Sequence, residues 1–150
     1  MSEPKIDIYS HALGVCEAFC EVVRAGIKRI ALSHPFTEEE LRRNLHGDAF
    51  LKACAEIAAK YDCKAYHLKE PVLTDLFPIS LNLGKQNVVF YRDDRDIEEL
   101  LSIQRDKNEL QKNGQYIMPE RYAIAVRYGH LLSYSEEAIT RYLRNNHERE

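Results

Sequence analysis

A chain of 150 residues, 45% of them hydrophobic, has the size of one domain with its own core, so stability requires neither disulfides nor a structural metal. The formal net charge is only −3 and neither half of the chain is basic, which argues against binding to nucleic acid or to an anionic membrane. With no apolar stretch of membrane-spanning length and no secretory leader, we expect a cytoplasmic protein with reduced cysteines.

The first third of the chain predicts a strand, a buried helix and a second strand. Alternating polar and apolar residues over 5–9 indicate the first short strand. Apolar residues then recur at helical spacing over 12–25, and Gly26 follows where a helix would end. The apolar run 30–32 is typical of a buried strand, and it ends abruptly in the polar segment 33–35.

Two helices, a strand and a long connection are predicted next. Thr37 followed by Glu40 fits a capping box that opens a short helix. Asp48 can cap a second helix with an apolar face. Alternation over 64–68 indicates another strand, and residues 71–86, with two prolines, form a packed connection without a clear period.

The last part of the chain predicts one strand and three helices. Residues 87–91 form the clearest strand of the sequence, and Asp93 or Asp94 can cap the long helix that follows. Two further helices come after an Asn-Gly stop signal, and Ser133 with Glu136 offers a capping box for the second of them. The C-terminal sequence RNNHERE is expected to fray.

Strands and helices that alternate in this order are typical of right-handed β-α-β units. We therefore expect an α/β fold with a small, mostly parallel or mixed sheet of three to four strands flanked by helices, and a three-helix C-terminal tail. In this interpretation residues 1–150 form a single α/β domain. Its strand-helix core covers residues 1–92, and the tail, 93–150, packs on that core or on a partner.

Polar side chains follow every predicted strand. Because ligands of open α/β sheets bind beyond the carboxyl ends of the strands, we expect these side chains to meet in one hollow. Imidazoles can move protons near neutral pH, so the candidate catalytic residues are His11, His34 and His67. The candidate ligand-binding residues are Ser10, Ser33, Lys69, Asp75, Arg92 and Asp93.

These residues predict a protein that binds a small polar or phosphorylated ligand at the strand ends, with hydrolase or transferase chemistry. Lys69 and Arg92 are suited to holding an anion, while converging imidazoles and carboxylates also suit a divalent metal. Turns after strands are polar whether or not they bind anything, and the chain contains no P-loop or H-E-x-x-H motif. The sequence therefore leaves open whether the protein is an enzyme and whether it binds a metal or a cofactor.

The alternative is a non-catalytic protein-interaction module that forms a homodimer through its C-terminal helices. Amphipathic tyrosine rings favour interfaces, and the tail contains Tyr116, Tyr122, Tyr128, Tyr134 and Tyr142. Coverage of the sheet by the same helices is the simpler interpretation. DNA binding is not expected, because Glu136 and Glu137 open the last helix, where reading base edges requires basic or amide side chains.

Two further patterns concern packing. Cys16 and Cys20 fall within the apolar stripe of the first helix, where thiols behave as small hydrophobic groups, so they are assigned to the core rather than to a metal site. Cys63 lies beside charged residues and is expected to be the most accessible cysteine. Gly129, four residues after Ala125, indicates a close helix contact or a turn.

Overall fold

The computed structural model describes residues 2–150, which form six α-helices and one three-stranded sheet. The helices are α1 (Ile8–Arg24), α2 (Glu38–Asn44), α3 (Asp48–Lys60), α4 (Asp94–Lys112), α5 (Glu120–Leu131) and α6 (Glu136–Asn145). The strands are β1 (Ile30–Leu32), β2 (Lys64–Leu68) and β3 (Asn87–Tyr91), and a 3₁₀ turn covers Ile79–Leu81. The prediction of an α/β fold with a small sheet flanked by helices is confirmed.

The sheet is antiparallel, so the prediction of a mostly parallel or mixed sheet is wrong. The strand order is β1-β3-β2, and β3 pairs antiparallel with both neighbours. Ala31 of β1 and Ala65 of β2 both lie opposite Phe90. The helix-rich segment between β1 and β2 does return the chain in the same direction, as expected, but β3 inserts between them. Its direction is reversed because the connection 71–86 contains no α-helix to carry the chain back across the sheet.

The strand predicted at 5–9 is wrong, because these residues lead into α1. Asp7 is the N-cap of this helix, and its carboxylate accepts the backbone N–H of Ser10 at 3.0 Å. The alternation of Ile6 and Ile8 marks no buried face, since these side chains are 76% and 57% exposed. The local cap therefore determines the structure here, and no neighbouring strand supplies a partner.

Two of the predicted helix caps form as expected. At α2 the backbone N–H of Glu40 donates to Thr37 Oγ1, and that of Thr37 donates to Glu40 Oε1, both at 3.1 Å. Asp93 caps α4, and its side chain accepts the backbone N–H of Arg95. Both helices therefore begin where the sequence places them.

Two other predicted caps are wrong. The N-cap of α3 is Gly47, and Asp48 is the first residue of that helix, where its carboxylate still suits the positive pole. The N-cap of α6 is Ser135, while Ser133 lies in the preceding turn with a φ of 65°. The helices exist as predicted, and only their first residues differ.

Each face of the sheet is covered by its own set of helices. Val88 and Phe90 lie in the cluster formed with α1 and α3, while Val89 lies in the cluster formed with α4, α5 and α6. This division follows from the strand geometry, in which successive side chains point to opposite faces. All three side chains are at most 2% exposed. β3 is therefore buried on both faces, which explains why its sequence is continuously apolar.

The predicted C-terminal tail consists of three helices, α4 to α6, and it covers the sheet. Its buried residues share one hydrophobic cluster with Ile30 of β1 and Leu68 of β2. Gly129 allows the close contact between α5 and α6 expected from its position, because a Cβ there would lie 2.6 Å from Ile139 Cγ1. The tail and the strand-helix part thus contribute side chains to the same core.

The C-terminal segment is ordered, so the predicted fraying is wrong. Asn146 is only 5% exposed, and its amide nitrogen donates to the Asp75 carbonyl oxygen at 2.8 Å. The backbone N–H of Ile79 donates to the Glu148 carbonyl oxygen at 3.0 Å. These hydrogen bonds join the end of the chain to the connection between β2 and β3, and residues this far apart in sequence show no local signal of the pairing.

Candidate functional site

The structure brings two of the predicted histidines together near the carboxyl end of β1. His34 lies in the loop that follows β1, and His11 lies in the first turns of α1. Their ring centroids are 6.1 Å apart, with the ring planes inclined by 45°. Within the described chain, the histidine side-chain hydrogen bonds are made by His67 and His130. The imidazoles of His11 and His34 are therefore free to contact a ligand.

A cavity of about 260 Å³ opens beside these two rings, and we call it the histidine cleft. It lies between the amino end of α1, the loop after β1, and helices α2 and α3. Apolar side chains form most of its wall, among them Ile8, Val15, Pro35, Phe36 and Phe50. The polar groups are His11, His34, Glu40 and Asn44, together with Ser33. The cleft thus combines two imidazoles with a largely apolar interior.

Ser33 belongs to the wall of the histidine cleft, but its hydroxyl is already engaged. It donates to the His34 carbonyl oxygen at 3.1 Å and accepts the Val88 backbone N–H at 2.9 Å. The Ser33 carbonyl oxygen accepts the amide nitrogen of Asn87 at 2.9 Å. Because Ser33 is only 5% exposed, these bonds tie the start of the loop to β3 and hold His34 at the cleft.

Glu40 and Asn44 line the cleft but were not among the predicted site residues. The Glu40 carboxylate is held by the capping box with Thr37. Asn44 lies four residues later on α2, so the two side chains share one face of that helix. The sequence signal for these two residues is their four-residue spacing on the helix that directly follows the loop carrying His34.

His67 lies at the same edge of the sheet, since β1 and β2 run in the same direction, but it does not line the histidine cleft. The phenyl ring of Phe36 stacks on the His67 ring with centroids 6.2 Å apart, and Phe36 lines the cleft. His67 Nε2 is 2.6 Å from Gln86 Oε1, and Gln86 Nε2 donates to Glu38 Oε2 at 2.8 Å. Because the Gln86 oxygen must accept, His67 carries its proton on Nε2.

Arg92 and Asp93 lie at the opposite end of the sheet, because β3 runs antiparallel to its neighbours. Arg92 donates to the Arg24 carbonyl oxygen at 2.9 Å and to Asp62 Oδ2 at 3.2 Å. Asp93 caps α4, and hydrogen bonds from the Arg95 side chain and backbone lower the pKa of its carboxyl to about 2. Both residues have structural partners far from the two histidines.

Three further predicted residues also lie away from the histidine cleft. The Ser10 hydroxyl donates to the carboxylate of Asp7, the N-cap of α1. Lys69 lines a separate polar cavity of about 670 Å³. Asp75 is 2% exposed, and both of its carboxylate oxygens accept hydrogen bonds from Arg121. Of the predicted ligand-binding residues, Ser33 is the one found in the wall of the histidine cleft.

The cysteines belong to the core. Cys16, Cys20 and Cys54 are 0% exposed, and Cys63, at 7%, is the most accessible of the four, as predicted. The Sγ atoms of Cys16 and Cys54 are 3.9 Å apart. Within residues 2–150, no group of three or more histidine, cysteine, aspartate or glutamate side chains is arranged to hold a metal ion.

No protein-family model, curated protein or solved structure matches this chain. Among residues 2–150, no helix combines the length and the apolar character needed to cross a lipid bilayer. A functional proposal therefore depends on the geometry and chemistry of the clefts themselves.

Proposed function

We propose that the histidine cleft binds a small phosphorylated ligand whose phosphate contacts His11 and His34. One observation carries this proposal: two imidazoles from different elements, with ring centroids 6.1 Å apart, flank one cavity and have free ring nitrogens. Each imidazole can donate an N–H to a phosphate oxygen, and a protonated ring adds charge attraction. A phosphate has enough acceptor oxygens to engage both rings at once.

The dimensions and the walls of the cleft restrict the rest of the ligand. Its volume of about 260 Å³ lies below the usual range for drug-sized ligands, which favours a molecule of few heavy atoms. Ile8, Val15 and Phe50 would contact a short apolar group. The Glu40 carboxylate repels a second negative charge, so the phosphate is expected at the histidine side of the cleft. A short alkyl phosphate matches these features.

Any hydrolysis or transfer at this cleft would use the imidazoles. Catalysis at phosphorus requires a group that attacks or that moves a proton, and histidine can do either. The Ser33 hydroxyl donates to one backbone group and accepts from another, so it is not free to act as the nucleophile. In this proposal His11 and His34 bind the phosphate. A water molecule, or one of the two imidazoles, attacks phosphorus as the P–O bond to the alcohol breaks, and the other imidazole in its protonated form gives its proton to the leaving alcohol.

Proton NMR of the histidine ring Cε1–H resonances tests the proposal, with n-butyl phosphate as the probe. We expect the resonances of His11 and His34 to move together to saturation. His11→Gln or His34→Gln should each weaken binding about tenfold or more, because each removes a hydrogen bond to a charged group. His147→Gln, at an exposed residue near the C-terminus, is the matched control and should leave the affinity unchanged.

The neutral analogue n-butanol distinguishes phosphate recognition from simple filling of the cleft. We expect it to produce no saturable shift at the concentrations where n-butyl phosphate saturates. Equal shifts from the two probes, or an unchanged affinity after His34→Gln, would contradict the proposal.

A homodimer formed through the C-terminal helices stays a prediction. The tail helices bury a large set of apolar residues against the sheet, so these residues are not exposed to a partner. Sedimentation velocity of the full chain over a range of concentrations tests it. A single monomeric species at all concentrations would exclude assembly through the tail. If a dimer forms, Tyr142→Lys should dissociate it, since this side chain is 42% exposed on α6 and a charge there would disrupt a tail interface.

A further inference from the structure

A second cavity, of about 300 Å³, lies on the other side of the 33–35 segment from the histidine cleft. Ser33 and Pro35 line both cavities. We call the second one the aromatic cleft, because its wall includes Phe19, Phe77, Tyr128 and Tyr134. It lies between α1, the 3₁₀ turn and the turn between α5 and α6. Its volume is sufficient for a molecule with one or two rings.

The rings of the aromatic cleft meet at right angles. Phe77 lies edge-to-face with Tyr128, with centroids 6.4 Å apart and planes inclined by 86°. It lies edge-to-face with Tyr134 as well, at 6.1 Å and 88°. Aromatic pairs favour offset-stacked and edge-to-face contacts, so neighbouring perpendicular walls offer both to a planar ring. The cleft is therefore suited to a flat aromatic group.

Lys28 supplies a half-buried positive charge at this cleft. Its Nζ donates to the Leu132 carbonyl oxygen at 2.6 Å and lies 5.2 Å from the centroid of the Tyr134 ring. No aspartate or glutamate among residues 2–150 forms an ion pair with it, although an ammonium has three N–H donors. Burial lowers the pKa of Lys28, as expected for a cation without an anionic partner. A carboxylate would provide that partner.

Tyr128 adds a hydroxyl group to the wall of the aromatic cleft. The residue lines the cleft and is only 4% exposed. A phenolic hydroxyl can donate one hydrogen bond and accept another. A polar atom of a molecule in the cleft can therefore pair with it.

We infer that the aromatic cleft binds a planar aromatic carboxylate. The ring of the ligand packs against Phe77, Tyr128 and Tyr134, and its carboxylate accepts a hydrogen bond from Lys28 Nζ. The single cation matches the single negative charge of a carboxylate. This site is separate from the histidine cleft, and its occupancy does not depend on the function proposed there.

Fluorescence of an indole probe tests the inference directly, because the chain contains no tryptophan and indole emission can be excited selectively. The three probes are indole-3-acetate, the neutral indole-3-acetamide and the cationic tryptamine. We expect saturable binding of the acetate, binding of the acetamide about tenfold weaker, and no detectable binding of tryptamine. Equal affinities for the acetate and the acetamide would overturn the assignment of Lys28, and preferred binding of tryptamine would overturn the whole inference.

Two substitutions assign the binding to this cleft. Lys28→Met keeps the length and the apolar stem of the side chain, and we expect it to abolish the preference for the acetate over the acetamide. Lys64→Met makes the same charge change at an exposed ion pair with Asp94 and should leave the preference intact. Tyr128→Phe removes only the hydroxyl and should weaken binding roughly threefold to tenfold.

A variant of the histidine cleft separates the two sites. His11→Gln should leave indole-3-acetate binding unchanged, because His11 lines only the histidine cleft. Circular dichroism confirms that each variant is folded. If Lys28→Met does not fold, the native chain and Tyr128→Phe still test the inference. Equal affinities of the native chain for all three probes, together with unchanged binding to Tyr128→Phe, would contradict it.

Discussion

Asp75 and Arg121 form a bidentate ion pair, with Arg121 Nε 2.6 Å from Asp75 Oδ2 and Nη2 2.7 Å from Oδ1. The Asp75 side chain is 2% exposed and that of Arg121 19%. Arg121 Nη2 also donates to the Glu150 carbonyl oxygen at 2.9 Å, and the guanidinium lies 4.7 Å from the centroid of the Tyr116 ring. The pair therefore joins the connection between β2 and β3, helix α5 and the C-terminal segment.

Breaking this ion pair should strongly destabilise the fold. Arg121→Met leaves the buried Asp75 carboxylate without a counter-charge, and we expect a loss of about 3–5 kcal/mol in the free energy of unfolding. Urea denaturation measures it. Arg43→Met, at an exposed pair with Glu39, is the control and should change stability little. Adding Asp75→Asn to Arg121→Met should recover part of the loss, and a double variant no more stable than Arg121→Met would contradict this account.

Gly129→Ala should destabilise the protein despite the higher helix propensity of alanine. The new Cβ would lie 2.6 Å from Ile139 Cγ1 and 2.8 Å from Cδ1, and Ile139 is 1% exposed and cannot move aside freely. Overpacking of this kind costs about 1–3 kcal/mol in the free energy of unfolding. Ile139→Ala removes both Cγ1 and Cδ1, so in a double-mutant cycle the two substitutions should be less destabilising together than the sum of each alone. Strict additivity would show that this contact is not the cause.

Gly14→Ala, in contrast to Gly129→Ala, should stabilise the protein. Gly14 is an exposed interior residue of α1, and a Cβ there would meet nothing within 4 Å. The substitution therefore gains helix propensity without a clash, and we expect the free energy of unfolding to rise by about 0.8–1 kcal/mol. Thermal and urea denaturation measure the change, and destabilisation by Gly14→Ala would refute the open surroundings described for this position.

Asp93 should contribute to the acid sensitivity of the fold. Hydrogen bonds from Arg95 lower its pKa to about 2 from an ordinary value of 3.8. Because the folded-state pKa is the lower one, the stabilisation is fully present above about pH 4 and is lost as the pH falls through about 2. Asp93→Asn still caps α4 but does not titrate, so its stability should fall less over this range. Glu98→Gln, at an exposed residue later on α4, is the control and should lose stability as the native chain does.

The four cysteines should be unreactive in the folded protein. Burial raises the pKa of Cys20 to about 12 and also raises that of Cys63, and the thiolate is the reactive form. The hydrogen bond with Cys54 lowers the pKa of Cys16, but this thiol is 0% exposed and a reagent does not reach it in the folded chain. A chromogenic thiol reagent at neutral pH should therefore modify the chain slowly until urea unfolds it. Cys63 is expected to react first because it is the most accessible. Cys63→Ala should remove the fastest phase, and rapid modification of several thiols in the native chain would contradict their burial.

The features that were predicted correctly depend on residues close together in sequence. The capping box of Thr37 and Glu40 spans three residues, and the strands at 64–68 and 87–91 were predicted with the bounds they have. Caps and alternating patterns are set by neighbouring side chains and by the periods of helix and strand, so one sequence is enough to read them. The strand predicted at 5–9 failed where two local signals competed, because the Asp7 cap outweighed the alternation.

The candidate site shows the same difference between features set by nearby residues and features set by distant ones. His11 and His34 were expected together because each was assigned to the end of a parallel strand. They are neighbours for a different reason: His11 lies on α1, whose amino end packs beside the loop after β1. Arg92 and Asp93 were assigned to the same edge but follow a strand that runs the other way.

The helices, the strands at 30–32, 64–68 and 87–91, and the apolar faces that form the core could all be read from the amino-acid order, because they depend on interactions within a few residues. The direction of β3, the pairing of Asp75 with Arg121 and the walls of the two clefts became known only once the chain was folded. These depend on contacts between segments dozens of residues apart, such as the 46 residues that separate Asp75 from Arg121. Such contacts form only when a whole set of elements packs at once, and no local pattern records which partners meet.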